Sequence, residues 1–302
     1  MMKYTKQCIV KANDRRFSLK KRNPSDTGGI KDRAIAEAQT LELQKRLKEL
    51  QYKLYAEGKQ SLLIVLQALD AGGKDSTIRK VLGPLNPQGV HVTPFRAPTK
   101  EELGHDFLWR IHKHVPAKGM IGVFNRSHYE DVLIVRVHDI VPKKVWSKRY
   151  EKINEFERLV ADSGTKIVKI FLHVSPEEQF ERLVERLDIP YKHWKANPQD
   201  FEERKHWDEY MAAFEDVFRK CSTSQAPWYV VPANKKWFRN LAISQILVDT
   251  LESMKCQMPK PEFDVEEIRA KYVGESDQPK EKKSEKKTKK KDKKKKKSKK
   301  KK

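Results

Sequence analysis

The chain contains no apolar run approaching the roughly 18 residues that a membrane-spanning helix requires, so no span is expected. Its start, Met1-Met2-Lys3-Tyr4-Thr5-Lys6, is basic, but no apolar segment follows, so no secretory leader is expected. Cysteine is scarce: Cys8, Cys221 and Cys256 form an odd set with no close spacing. That argues against a disulfide framework and for a reducing compartment, hence a cytoplasmic setting. No internal repeat is visible. Acidic residues are outnumbered, 42 against 65 Lys and Arg, for a formal net charge of +23.

The surplus is uneven. Residues 280–302 hold 17 lysines and three acids. Such a segment has too little apolar surface to bury and is expected to be a disordered tail. It suits several roles: concentrating a polyanion, binding nucleic acid, a nuclear or nucleolar address, or simple solubilisation. The rest of the chain still carries +9, which points to a polyanionic partner.

Apolar runs alternate with helical patterns. Residues 31–57 read as one helix, with Ala34, Ala38, Leu41, Leu47, Leu50 and Leu54 near one face and Gly58 as its stop. Ser61 to Leu69, SLLIVLQAL, suits a strand buried on both faces of a parallel sheet. Further strands are expected at 90–95, 120–124, 166–174 and 228–231. Helices are expected at 76–82, 101–114, 143–163, 176–187, from 198 onward, and at 235–254. In the 143–163 helix the inward residues read as Val145, Ile153, Phe156 and Val160. The alternation implies a three-layer α/β/α fold with a five-stranded parallel sheet. The expected organisation is an arm over 1–30, a body over 31–258 with a lid at about 188–222, a linker over 259–279 and the tail over 280–302.

Between the first strand and its helix lies Asp70-Ala71-Gly72-Gly73-Lys74-Asp75-Ser76-Thr77. A strand, a glycine turn and a helix start, in that order, form a phosphate-gripping P-loop. The glycines let backbone N–H groups curl around a phosphate, and the lysine reaches the transferring group. The match to G-x-x-x-x-G-K-[ST] is imperfect: Ala68 stands at the first glycine and Asp75 at the Ser/Thr, with Ser76 and Thr77 just behind. A solvated turn before a helix also fits. Asp70 would repel phosphates unless a cation stood between them. It is therefore a candidate Mg²⁺ ligand, a base orienting the acceptor, or a turn cap.

The third strand runs into Phe124-Asn125-Arg126-Ser127-His128-Tyr129-Glu130-Asp131. The carboxyl ends of strands are where ligands bind in open α/β sheets, and Arg126 can grip phosphate oxygens in bidentate fashion. Glu130 and Asp131 fit water or metal binding, and fit first-turn helix acids equally. Residues 182–207 gather Arg182, Arg186, Lys192, His193, Lys195, Arg204, Lys205 and His206 around Trp194 and Trp207. A mobile lid of this kind can close cations over a phosphoryl transition state, with Arg186 or Arg204 as an arginine finger. A solvated helical hairpin is the alternative.

The motifs Leu69-Asp70-Ala71-Gly72-Gly73-Lys74-Asp75-Ser76-Thr77-Ile78, Leu85-Asn86-Pro87-Gln88-Gly89, Phe124-Asn125-Arg126-Ser127 and Pro190-Tyr191-Lys192-His193-Trp194-Lys195 resemble the polyphosphate kinase 2 family. Glu101 to Arg110 adds to the likeness, which covers about residues 15–255. The resemblance implies a P-loop kinase fold similar to thymidylate kinase. It implies reversible, Mg²⁺-dependent transfer of phosphate from inorganic polyphosphate to AMP or ADP, forming ADP or ATP, often in a homo-oligomer. The family's loop residues map onto Asp70, Gly73 and Lys74, its next arginine onto Arg126, and its lid cations onto Arg186, Lys192, Lys195 and Arg204. With Gly72, Asp75 and Ser76 in the phosphate loop, a polyphosphate groove is expected to continue over Arg79, Lys80 and Arg96, with Arg110, Lys113, Arg136, Lys143 and Lys144 as further candidates. Asn125, Glu130 and Asp131 are expected on the nucleotide side. Three positions depart from the family pattern: Ala68 for Gly, Gly72 for Ala, and His128 for Tyr or Trp. Two other functions remain open on sequence: an ATP-dependent nucleoside monophosphate kinase, and a polyanion or nucleic-acid binder with an inactive kinase core.

Overall fold

A computed structural model describes residues 2–273. The expectation for the lysine-rich tail lies outside the described residues, as does that for the linker beyond Val273. The chain divides into two compact units after Met258. In the second, the described residues form a short helix, Val265–Tyr272. It is capped by the Asp264 carboxylate, which accepts from the Glu266 and Glu267 amides.

In the first unit, five parallel strands form one sheet: β1 (Ser61–Gln67), β2 (Val90–Pro94), β3 (Ile121–Asn125), β4 (Thr165–His173) and β5 (Trp228–Pro232). Their spatial order is β2-β3-β1-β4-β5. The chain leaves β1 toward one edge and leaves β3 toward the other. The connections therefore part at the carboxyl ends of β1 and β3, where open α/β sheets place their ligands.

β1 reads as a continuous apolar run because both its faces are covered. Leu62, Ile64 and Leu66 join the core under the helices Arg33–Glu57 and Lys236–Met254. Leu63 and Val65 join the core under Lys143–Asp162 and Trp207–Cys221. Each such side chain stabilises the fold by roughly 1.5–3 kcal/mol when fully buried.

Several helices differ in detail from the sequence expectation. In Arg33–Glu57 the buried residues are Ala36, Thr40, Leu47, Leu50, Gln51 and Leu54, and Leu41 is 60% exposed. The polar members earn burial by bonding: Thr40 Oγ1 donates to the Ala36 carbonyl, and Gln51 exchanges two hydrogen bonds with the Asn86 backbone, both at 2.8 Å. In Lys143–Asp162, Trp146 and Tyr150 face inward while Val145 is exposed. The expected 101–114 helix is two short turns, Lys100–Leu103 and Trp109–His112. Gly104 ends the first, and the Asp106 carboxylate caps the chain where it restarts at Leu108. The helix after the phosphate loop begins at Lys74, then widens over Ile78–Leu82, where the Gly83 amide bonds the Ile78 carbonyl five residues back.

Near its N-terminus the chain runs beside the edge strand β5: Ile9 bridges Tyr229, and the Val10 amide bonds the Trp228 carbonyl at 2.8 Å. Phe17 and Leu19 are buried. The Ile9–Tyr229 bridge covers part of the exposed edge of β5.

Candidate active site

The phosphate loop is folded by two left-handed residues, Ala71 (φ 57°) and Gly73 (φ 102°). Gly72 is needed for space. A Cβ there would stand 2.6 Å from the Ala68 Cβ and 2.8 Å from the Leu69 carbonyl oxygen. Two of the three departures from the family pattern thus face each other across the loop. Ser76 Oγ and Thr77 Oγ1 both donate to the Gly73 carbonyl, at 2.9 and 3.0 Å, and so brace the turn. Lys74 Nζ donates to the carbonyls of Ala68 and Leu69, at 2.8 and 3.3 Å. Burial, seconded by the Arg126 charge, holds its pKa below the ordinary lysine value.

At the end of β3, Asn125 Nδ2 donates to Asp75 Oδ1 at 3.0 Å. Arg126 takes a left-handed backbone (φ 63°) and its amide bonds the Leu66 carbonyl of β1 at 3.1 Å. Its guanidinium pairs with Asp70. Burial pushes the Asp70 carboxyl up, but Lys74 and Arg126 outweigh it and hold the group below the usual carboxylate range. Glu130 shifts the other way, because its burial dominates the pull of Arg126 and Lys74. His128, the third departure, is not in the cleft. It is fully buried in a network where Glu157 receives Lys169 Nζ at 2.5 Å and the Tyr129 hydroxyl at 2.7 Å, with His128 Nε2 at 3.2 Å. That network anchors the turn carrying Arg126 from behind.

Two cavities meet at the Asp70–Arg126 pair. The larger, about 940 Å³, is lined by the loop from Asp70 to Ser76, by Arg79 and Arg96, and by the lid. Nine of its lining residues are cationic and three are acidic. The smaller, about 240 Å³, is different in kind. Its wall includes Asp70, Glu130, Asp200 and Glu203 beside Leu133, Ile134, Trp207, Tyr210 and Phe214.

The segment expected as a lid, about 188–222, follows the helix Pro176–Asp188, where Gln179, Arg182 and Arg186 share a face at helical spacing. Gln179 Nε2 donates to the Asp70 carbonyl at 3.0 Å. Arg186 pairs with Asp200 at 2.6 Å, Lys192 with Glu185 at 2.5 Å and Lys195 with Asp75 at 3.2 Å. Arg204 belongs to the smaller cavity, where it donates to Gln179 Oε1 at 2.8 Å and to the Pro176 carbonyl at 2.9 Å.

Most of the residues singled out in the sequence thus surround one cleft. Of the groove and nucleotide-side candidates, seven lie outside both cavity walls: Lys80, Arg110, Lys113, Asp131, Arg136, Lys143 and Lys144. Lys80 is exposed, and Asp131 pairs with Arg149 at 2.7 Å. Burial pushes the Asp131 carboxyl up to about 6 against the pull of Arg149. The structure adds Arg239, whose guanidinium lies against the Gly73 carbonyl, and brings Arg182 of the basic cluster onto the Gly72 carbonyl. A signal for Arg239 was present: one arginine inside the apolar pattern Trp237-Phe238-Arg239-Asn240-Leu241-Ala242-Ile243.

A family model described as polyphosphate kinase 2 matches residues 30–259. The chain belongs to the polyphosphate kinase 2 family. It is a kinase of that family, and its reaction class is phosphoryl transfer. It is 54% identical over 256 residues to an AMP/ADP-polyphosphate phosphotransferase of Meiothermus ruber, spanning 84% of this chain and 96% of that protein. It is 46% identical over 227 residues to an ADP-polyphosphate phosphotransferase of Rhodopseudomonas palustris, spanning 71% of this chain and 78% of the other. Among solved structures, polyphosphate kinase 2 from Arthrobacter aurescens superposes with a TM-score of 0.83 at 46% identity, over 88% of this chain and 98% of that one. No helix among the described residues is long and apolar enough to cross a membrane.

Proposed function

We propose that the protein moves phosphate between inorganic polyphosphate and AMP or ADP across the Asp70–Arg126 pair. The observation that carries this reading is the contrast between the two cavities that meet there. A phosphate polymer needs a long surface of cations, which the larger cavity offers through Lys74, Arg79, Arg96, Lys192 and Lys195. A nucleoside needs apolar walls and a few polar groups, which the smaller cavity offers through Trp207, Tyr210, Phe214 and Glu130.

Lys74 and the loop amides hold the transferring group, and Arg126 neutralises the charge that develops on it. Arg186 reaches the same group once it exchanges Asp200 for phosphate. Positioning and electrostatics carry the reaction, because no covalent step on the protein is required.

The donor set fits Mg²⁺. Asp70 and Glu130 line one cavity, and among the described residues no cluster of three or more His, Cys, Asp or Glu side chains could cage a metal. A site of few carboxylates is what a hydrated Mg²⁺ completed by phosphate oxygens uses. Asp70 and Glu130 would hold the ion, which supplies neutralising charge between the donor and acceptor phosphates when bound.

The test is an assay with polyphosphate as sole donor and AMP or ADP as separate acceptors. Formation of ADP and ATP is expected. No product with either acceptor, together with ADP formation from ATP and AMP, would reassign the protein to the ATP-dependent monophosphate kinases.

A further inference from the structure

Two guanidiniums meet the carbonyls of the phosphate loop: that of Arg182, which also lines the larger cavity, and that of Arg239, which is not part of the cavity wall. Arg182 Nη1 donates to the carbonyls of Gly72 and Ala71, at 3.1 and 3.3 Å. Its Nη2 reaches the carbonyls of Ala233 and Asn234 beyond β5, at 2.6 and 3.4 Å, and its Nε pairs with Glu178 at 2.8 Å. Arg239 comes from the helix Lys236–Met254 and is 1% exposed. Its Nη1 lies 3.5 Å from the Gly73 carbonyl, and a Cβ on Gly73 would stand 2.4 Å from the same nitrogen. Its remaining bonds go to Asn240 Oδ1, at 2.8 and 3.2 Å.

The two arginines differ in one respect. Arg182 has Glu178. Arg239 has no carboxylate partner among the described residues, and burial together with the Arg182 charge lowers its pKa to about 10. A buried, uncompensated cation costs stability. A trans peptide sets its N–H opposite its carbonyl. The Gly72 carbonyl faces Arg182, and the Gly73 carbonyl, which also accepts from Ser76 Oγ, Thr77 Oγ1 and the Thr77 amide, faces Arg239, so the amides of Gly73 and Lys74, two residues of the larger cavity's wall, point away from those guanidiniums.

We propose that Arg239, acting with Arg182, is a positioning residue for the polyphosphate donor: it holds the loop carbonyls backward so that the amides face phosphate, and the bound phosphate supplies the counter-charge that Arg239 lacks. This rests on the reading that the loop holds the donor. The apo protein carries the cost of the buried charge, and the donor relieves it. Removing the charge should therefore move stability and donor affinity in opposite directions, which a merely structural side chain would not do.

The experiment compares Arg239→Met, Arg239→Lys and Lys74→Ala with the parent, using inorganic tripolyphosphate as the probe. Binding is measured by calorimetry and apo Tm by scanning. In Arg239→Met the apo Tm should hold or rise, while the tripolyphosphate Kd weakens by about tenfold or more. The KM for polyphosphate should rise with it, and the KM for AMP or ADP should stay put. Arg239→Lys keeps the charge and should stay within about threefold of the parent Kd. The proposal is overturned if Arg239→Met lowers the apo Tm or fails to fold, if its Kd is unchanged, or if both substrates lose affinity together. Lys74→Ala separates the two readings. If it binds tripolyphosphate like the parent, the loop is not the donor site. If it loses binding while Arg239→Met keeps it, only the positioning role falls.

Discussion

At the phosphate loop the cations bond carbonyl oxygens, Arg182 keeping the Glu178 carboxylate as well, while three cations across the cleft each pair with a carboxylate. Lys74 bonds Ala68 and Leu69, Arg182 bonds Ala71 and Gly72, and Arg239 approaches Gly73. Across the cleft, Arg186 has Asp200, Lys192 has Glu185 and Lys195 has Asp75. The difference separates two functions of charge. Carbonyls orient a cation without cancelling it, so the loop keeps its positive field whatever the lid does. The Lys192 and Lys195 pairs are partly exposed, and such pairs are worth only about 0–1 kcal/mol each, so an incoming polyanion can take these two cations from their carboxylates at small cost; the Arg186–Asp200 pair is more buried. On the proposed mechanism the loop would act as a standing grip and the lid as a set of exchangeable contacts.

The largest effect should come from the loop. Lys74→Ala is expected to cut turnover by about 10³-fold or more while leaving Tm nearly unchanged, because the proposed mechanism puts the lysine on the transferring group. Steady-state kinetics beside a thermal melt checks this, and near-normal turnover breaks the assignment of the grip to this loop.

A second experiment sharpens the idea that the loop is rigid. Gly72→Ala places a methyl against Ala68 and the Leu69 carbonyl. Such overpacking costs typically about 1–3 kcal/mol and should weaken polyphosphate binding. Adding Ala68→Gly removes the opposing methyl and should recover part of the loss. Tm and donor KM measured over the four-member cycle give the coupling, and purely additive effects would show that the two sites do not meet as described.

The smallest effect belongs to the lid. Lys195→Ala removes the bridge from lid to loop at Asp75, whose partners are 37% and 68% exposed. The KM for polyphosphate should rise about two- to fivefold at low salt and converge on the parent value at high salt, as screening requires. A defect that persists unchanged at high salt would place Lys195 among the standing contacts and erase the distinction between lid and loop.

Much of this was legible in the linear chain, for identifiable reasons. β1 announced itself because a strand covered on both faces has no reason to alternate. The phosphate loop was legible because its glycines, lysine and helix start are consecutive. The first half of the Arg33–Glu57 helix was not, because Ala34, Ala36 and Ala38 are equivalent as a pattern and only packing chooses among them. The course of 100–114 was obscured for another reason: the caps at Thr99 and Asp106 are strong local signals, and they outweigh the apolar spacing that suggested one helix.

The sequence by itself determined the elements whose causes are local or periodic: the buried strands, the phosphate loop, and the basic character of the segment that becomes the lid. Only the tertiary structure decided which charges stand alone. Asp131 and Glu130 are neighbours in the chain, yet one pairs with Arg149 while the other lines a cavity with Asp70. Arg186 and Arg239 are both arginines on helices, yet one has a carboxylate and the other has none among the described residues. Coulomb energy depends on distance and on the surrounding medium, and neither is a property of position along the chain.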